Sequence, residues 1–212
     1  IAVYLAAMVL LAFGITLNAQ TGLGVSPIVS VAYSISEASG LLFADMTFIL
    51  YGVFVVSEII IHSILGKGRK YFIRDILQLP LSLVFTRFMK LFQALFADVP
   101  SFPVYVRLLL LLIAIAATGT GAAATLSMRI IPNPGDGIVQ ALSDLSHGSV
   151  GLVKNIFDGV NVLIALSIGF IFLHSPSGVG IGTIIAFIGV GRFVALYNGT
   201  IGPRIAGKVF AA

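Results

Sequence analysis

The chain has 212 residues, of which 58% are hydrophobic and only 9% charged, with a net charge of +4 and no cysteine. A soluble domain carries about 25% charged residues, so this composition excludes a soluble enzyme and makes lipid the solvent for most of the apolar surface. The lack of cysteine excludes disulfides, thiol catalysis and cysteine-held metals, and His62, His147 and His174 have no metal-ligand spacing.

No charged residue occurs from Ile1 to Ser36, from Leu108 to Met128 or from Gly159 to Gly191. Each stretch supplies at least one segment of the roughly 20 residues that a helix needs to cross the hydrocarbon. In chain order the pattern predicts six transmembrane helices, at 1–19, 46–66, 73–96, 105–128, 152–173 and 180–198. The first is not expected to be a cleaved signal peptide, because no small-residue cleavage site and soluble domain follow it. The start at Ile1 rather than methionine suggests a short preceding piece. Lys67, Arg69, Lys70 and Arg74 cluster between the second and third spans, where the positive-inside rule accounts for them better than nucleic-acid binding does. Placing that loop in the cytoplasm puts both termini inside. Arg129, Lys154, Arg204 and Lys208 then fall on the same side, leaving Arg107 alone on the other.

The chain also matches itself at an offset of 107. Ser26-Pro27 falls on Asn133-Pro134, Ser36-Glu37 on Ser143-Asp144, and Ile49-Leu50-Tyr51-Gly52-Val53 on Ile156-Phe157-Asp158-Gly159-Val160, while Gly14 falls on Gly121. With a two-residue slip, Arg87-Phe88 meets Arg192-Phe193. The expected fold is therefore an all-α integral membrane protein of two three-span repeats, 1–98 and 99–212. An odd number of spans per repeat makes their topologies inverted, as in many secondary transporters.

Each repeat carries a break. Thr21-Gly22-Leu23-Gly24-Val25-Ser26-Pro27 follows the first span and Ile131-Pro132-Asn133-Pro134-Gly135-Asp136-Gly137 the fourth. Glycine and proline stop the preceding helix. Ser26 and Asn133 then stand as N-caps before a proline in the first helical turn, and Asp136 lies near the positive end of the helix dipole. Short helices are expected at 27–38 and 134–146. Two placements stay open: re-entrant helices lining a site, or connectors lying flat at the interface.

Arg87 and Arg192 each lie 11 residues before an exit marker, roughly 16 Å along a helix. A central arginine needs a partner or water. Asp158, Glu58 or an anionic substrate would serve, and snorkelling to the interface is the plain alternative. Gly178-Val179-Gly180-Ile181-Gly182-Thr183 lacks the lysine and the preceding strand of a nucleotide loop and suits close helix approach instead. Pro80 suggests a kink in the third span.

These residues resemble the YczE/YyaS/YitT-type family of small bacterial multi-span membrane proteins. The matching segments are Leu23-Gly24-Val25-Ser26-Pro27, Asn133-Pro134-Gly135-Asp136-Gly137 and Gly180-Ile181-Gly182-Thr183. The chain departs from the pattern in its Asn-Pro-Gly-Asp order and in having no tryptophan. The resemblance implies a bacterial cytoplasmic-membrane protein and no particular substrate.

The functional expectation is a non-enzymatic small-molecule transporter for an anionic or zwitterionic solute, without cofactor or metal. Its site is expected to draw on Ser26, Arg87, Asn133, Asp136, Asp158 and Arg192. The other readings are a substrate-binding membrane subunit of a larger importer and a non-transporting accessory or scaffold protein of a membrane-linked biosynthetic complex. Expected partners are the lipid bilayer and a small polar solute. A homodimer or a partner membrane protein is allowed but not required, and nucleic acid is excluded.

Overall fold

The computed structural model describes residues 2–128 and 130–200, and these form helices and turns with no strand. The helices are α1 (Ala2–Gln20), α2 (Pro27–Ser39), α3 (Phe43–Ile64), α4 (Arg69–Leu95), α5 (Val104–Ser127), α6 (Pro134–Ser146), α7 (Val150–Ile168) and α8 (Ile181–Thr200). A 3₁₀ turn, Val99–Ser101, precedes α5, and a π-helical turn, Gly169–Leu173, extends α7. Among the described residues five helices are long and apolar enough to cross a membrane: α1, α3, α5, α7 with its π turn, and α8. The sixth expected span, 73–96, forms as α4 and is long enough at 27 residues, but it falls short in hydropathy. Arg69, Lys70, Arg74, Asp75, Gln78, Arg87, Lys90 and Gln93 account for that. The helix runs on through Pro80.

The chain divides into two compact units. The first holds residues 1–26, 88–130 and 178–212, and the second 27–87 and 131–177. Each therefore draws on both halves of the sequence.

In the first unit α5 packs between α1 and α8. The α1–α5 crossing is close because glycine stands where the backbones meet. A Cβ built on Gly14 would lie 2.8 Å from the Ala114 carbonyl, and one on Gly121 would lie 3.0 Å from the Ala7 carbonyl. Such contact between small residues is how helices associate where lipid removes the hydrophobic drive. The glycine-rich segment before α8 works similarly. The Leu23 carbonyl accepts from the Gly182 amide at 2.7 Å, and the Gly178 carbonyl from the Val25 amide at 2.9 Å. Any side chain on Gly180 or Gly182 would meet Leu23. The expected close approach is thus of backbone to backbone, and it satisfies polar groups of the first break. Arg107 donates from Nε to the Thr21 carbonyl at 2.5 Å, giving the end of α1 a cation where the dipole favours one.

In the second unit α2 packs on α3 and α7, while α6 packs on α3 and α7. Outward-facing Ile49, Val53, Val56, Ile60 and Ile64 form an apolar stripe along α3, each more than half exposed. Such a stripe fits lipid and not water.

Element boundaries and local bonds recur at the offset of 107. The pairs Gln20 and Ser127, Pro27 and Pro134, Ser39 and Ser146, and Phe43 and Val150 mark equivalent helix ends. Ser36 Oγ donates to the Leu41 carbonyl at 2.6 Å, and Ser143 Oγ to that of Gly148 at 2.7 Å. Gly40 and His147, also 107 apart, both close their helix in the left-handed region, with φ of 71° and 54°.

Candidate functional site at the broken helices

Both short helices belong to the second unit, and their starts meet there. A Cβ on Gly135, in the first turn of α6, would lie 2.8 Å from Cδ1 of Ile28, in the first turn of α2. The same point is about 4.0 Å from the ring of Tyr51, which is fully buried on α3. Asn133 caps α6, its side-chain oxygen accepting from the Gly135 amide at 3.4 Å while Nδ2 donates to the Tyr51 hydroxyl at 3.4 Å. Farther along, Gly137 abuts the Glu58 carboxylate, with a built Cβ 2.6 Å from Oε2. At its far end Asp144 pairs with Lys67 at 3.0 Å, just past α3. The contacts advance in step, Tyr51, Glu58, Lys67 on one side and Asn133, Gly137, Asp144 on the other. Helix α6 therefore lies alongside α3 from its middle to its C-terminal end. Helix α2 starts at the same middle level and turns into the N-terminus of α3 at Phe43.

The two starts differ in charge. Helix α6 carries Asp136 in its first turn, and α2 carries no acidic residue there. Asp136 is half-buried. Asp158, buried on α7, accepts from Lys154 Nζ one turn earlier at 3.0 Å, with its Oδ1 left unpartnered.

The structure gives Arg87 a different partner from those expected. Its guanidinium lies 2.9 Å from Asp45, in the first turn of α3, and both side chains are substantially exposed. It is thus level with the end of α3 rather than its middle, and it touches neither Glu58 nor Asp158. Arg87, Asn133, Asp136 and Asp158 all belong to the second unit, whereas Ser26 and Arg192 belong to the first. Ser26 is buried, and Arg192 is exposed on α8. Arg129, Arg204 and Lys208, which entered the orientation argument, lie outside the described residues.

A polar seam that the sequence reading did not single out joins α3 to α4. Gln78 Nε2 donates to Glu58 Oε2 at 2.6 Å, and His62 Nδ1 pairs with Asp75 Oδ2 at 2.6 Å. Asp75, Gln78, Ser82 and Thr86 form one buried stripe on α4, repeating at three- and four-residue steps as a single helix face does. That periodicity is visible in the sequence itself. At the exposed end, Lys67 Nζ lies 5.1 Å and the Arg74 guanidinium 4.9 Å from the centre of the Tyr71 ring. The hydrogen bond to Asp144 holds the Lys67 ammonium above its ordinary pKa. Leu65, Lys67, Ser143, Asp144, His147 and Gly148 line an open cleft of about 520 Å³ there.

Among the described residues no group of three or more His, Cys, Asp or Glu side chains is arranged to hold a metal ion. No curated protein and no solved structure matches the chain. The model of a family of unknown function, DUF6198, matches residues 1–199, and the chain belongs to that family.

Proposed function

We propose that the chain is a small-molecule membrane transporter, with α4 as a sixth crossing, built as two inverted repeats that alternate access to a solute. The observation carrying this reading is the meeting of Ile28 and Gly135 beside buried Tyr51. Two helix starts facing one another beside the middle of α3 bring irregular backbone and helix-terminal polar groups to a place where lipid could satisfy none. Inverted-repeat transporters hold their solutes at such discontinuous helices. The recurrence of helix ends and serine bonds at one offset supports the repeat. Resemblance to the YczE/YyaS/YitT-type proteins supports a bacterial cytoplasmic membrane, and the Lys67–Arg74 cluster supports cytoplasmic termini.

The charges favour the zwitterionic half of the expectation. Arg87 is already neutralised by Asp45, and the start of α6 has its own carboxylate. A solute with one carboxylate and one ammonium suits both starts: the anion at α2, which lacks an acid, and the cation at Asp136. In this reading Asn133 and Asp136 contact solute and Ser26 leads into α2. Arg87 and Asp158 are the more peripheral members of the site, and Arg192 belongs to the other unit.

The test is a thermal-unfolding screen of the purified protein in mild detergent against amino acids, betaines, carboxylates and phosphates. A ligand at 100 times its Kd stabilises by about 2.7 kcal/mol. A zwitterion whose stabilisation disappears in Asp136→Asn and Asn133→Ala, and which is taken up by proteoliposomes, supports the proposal. Binding without uptake points to the importer subunit, and no response together with a stoichiometric co-purifying partner points to the scaffold.

A further inference from the structure

Glu58 and His62 stand one turn apart on α3, and Gln78 and Asp75 one turn apart on α4, joined across the helices by two bonds of 2.6 Å. All four side chains are buried, Glu58, Asp75 and Gln78 completely. Three of their oxygens, Glu58 Oε1, Asp75 Oδ1 and Gln78 Oε1, have no hydrogen-bond partner. The seam reaches from the exposed Lys67–Tyr71–Arg74 end down to the first turns of α6, where Glu58 touches Gly137. The charged and titratable groups around Glu58 are Asp75 and Arg74 from α4, Asp136 from α6 and His62 on its own helix. None forms an ion pair with it: Arg74 stacks on Tyr71 and His62 is held by Asp75. A buried carboxylate bonded only to a neutral amide is costly as an anion and is relieved by taking up a proton. Carboxylate and imidazole chains inside membranes are the usual carriers of protons.

We infer that Glu58 is a proton-binding site at the broken helices, supplied from the Lys67 end through the His62–Asp75 pair. The step is uptake of one proton from water, which converts the carboxylate to the acid and breaks no other covalent bond. Release reverses it. Its meaning as a coupling site rests on the transporter reading above, but proton binding itself does not.

The experiment is pH-jump infrared difference spectroscopy on the purified full chain without any solute. Wild type is compared with Glu58→Gln, Asp136→Asn and His62→Gln. Lowering the pH from about 9 to about 5 should raise a carboxylic-acid C=O band. That band should vanish in Glu58→Gln, persist in Asp136→Asn, and rise several-fold more slowly in His62→Gln. Glu58→Asp keeps the acid and should give a displaced band, which guards against a Glu58→Gln protein that fails to fold. A band absent from wild type, or unchanged in Glu58→Gln, overturns the site, and an unchanged rate in His62→Gln overturns the supply route. With no solute present, these results stand apart from the ligand screen, so each idea can fail alone.

Discussion

Gly14 and Gly121 stand on opposite sides of one helix crossing, each where any side chain would strike the partner's backbone. A Cβ on Gly14 would lie 2.5 Å from the Thr118 amide nitrogen, and one on Gly121 would lie 2.7 Å from that of Leu11. Backbone cannot move aside as a flexible side chain can. Gly14→Val and Gly121→Val should therefore each cost at least about 1–3 kcal/mol, the range for overpacking, read as a lower melting temperature in detergent. Gly52→Ala and Gly159→Ala, with nothing within 4 Å of the added carbon, should be neutral or gain up to about 1 kcal/mol of helix propensity. Equal effects at all four positions would remove the special status of the crossing.

Asn133 caps α6 and touches Tyr51 at once. Asn133→Ala should cost about 1 kcal/mol, as loss of an N-cap does, whereas Asn133→Ser should restore most of that. Tyr51→Phe should cost less, since the 3.4 Å bond from Asn133 is a long one. Melting temperatures of the three variants check the order.

The Asp45–Arg87 pair is half-exposed on both sides. Arg87→Ala and Asp45→Ala should each change stability by less than about 1 kcal/mol, and the double variant should show a small coupling. A loss of several kcal/mol in Arg87→Ala alone would mean that the arginine sits in a far drier setting than its exposure indicates. Loss of a solute response in Arg87→Ala, with the melting temperature unchanged, would move the residue from the periphery of the site to direct solute contact.

Lys67 gains a partner on folding, so its pKa is raised. A group whose folded pKa is raised contributes stability that is complete below its unfolded value and lost as the pH rises through the folded one. Wild type should thus keep an advantage over Lys67→Gln at neutral pH, and the two melting curves should converge only in strongly alkaline buffer. Asp144→Asn should abolish the difference throughout.

The short helices were legible because their signals are local: a proline opens both, Asn133 caps α6, and a left-handed residue closes each, Gly40 after α2 and His147 after α6. Like sequence at the offset of 107 is matched by like helix ends and like serine bonds, because these too are set locally. The long α4 was legible as a helix, but its hydropathy is lowered by a polar face that turns toward α3. Which polar groups pair across α3 and α4 depends on the register of two helices, and no local signal sets that. Glu58 consequently looked like a partner for Arg87, whereas the hairpin register brings Gln78 to Glu58 and puts Asp45 opposite Arg87. Composition likewise set the length of α6, 13 residues, but not the neighbours on which it packs, α3 and α7.

The division of the chain has a consequence for biogenesis. The first unit needs α1 together with the later α5 and α8, and the second cannot close until α6 and α7 have followed α2 and α3. Neither unit is complete when the first half of the chain has left the ribosome. Helix α1 must wait for α5, more than eighty residues behind it, before Gly14 finds Ala114 and Thr118. In that interval the nascent chain exposes its buried polar side chains, Glu58 among them, to whatever surrounds it. The late helices therefore supply the surfaces against which the early ones pack.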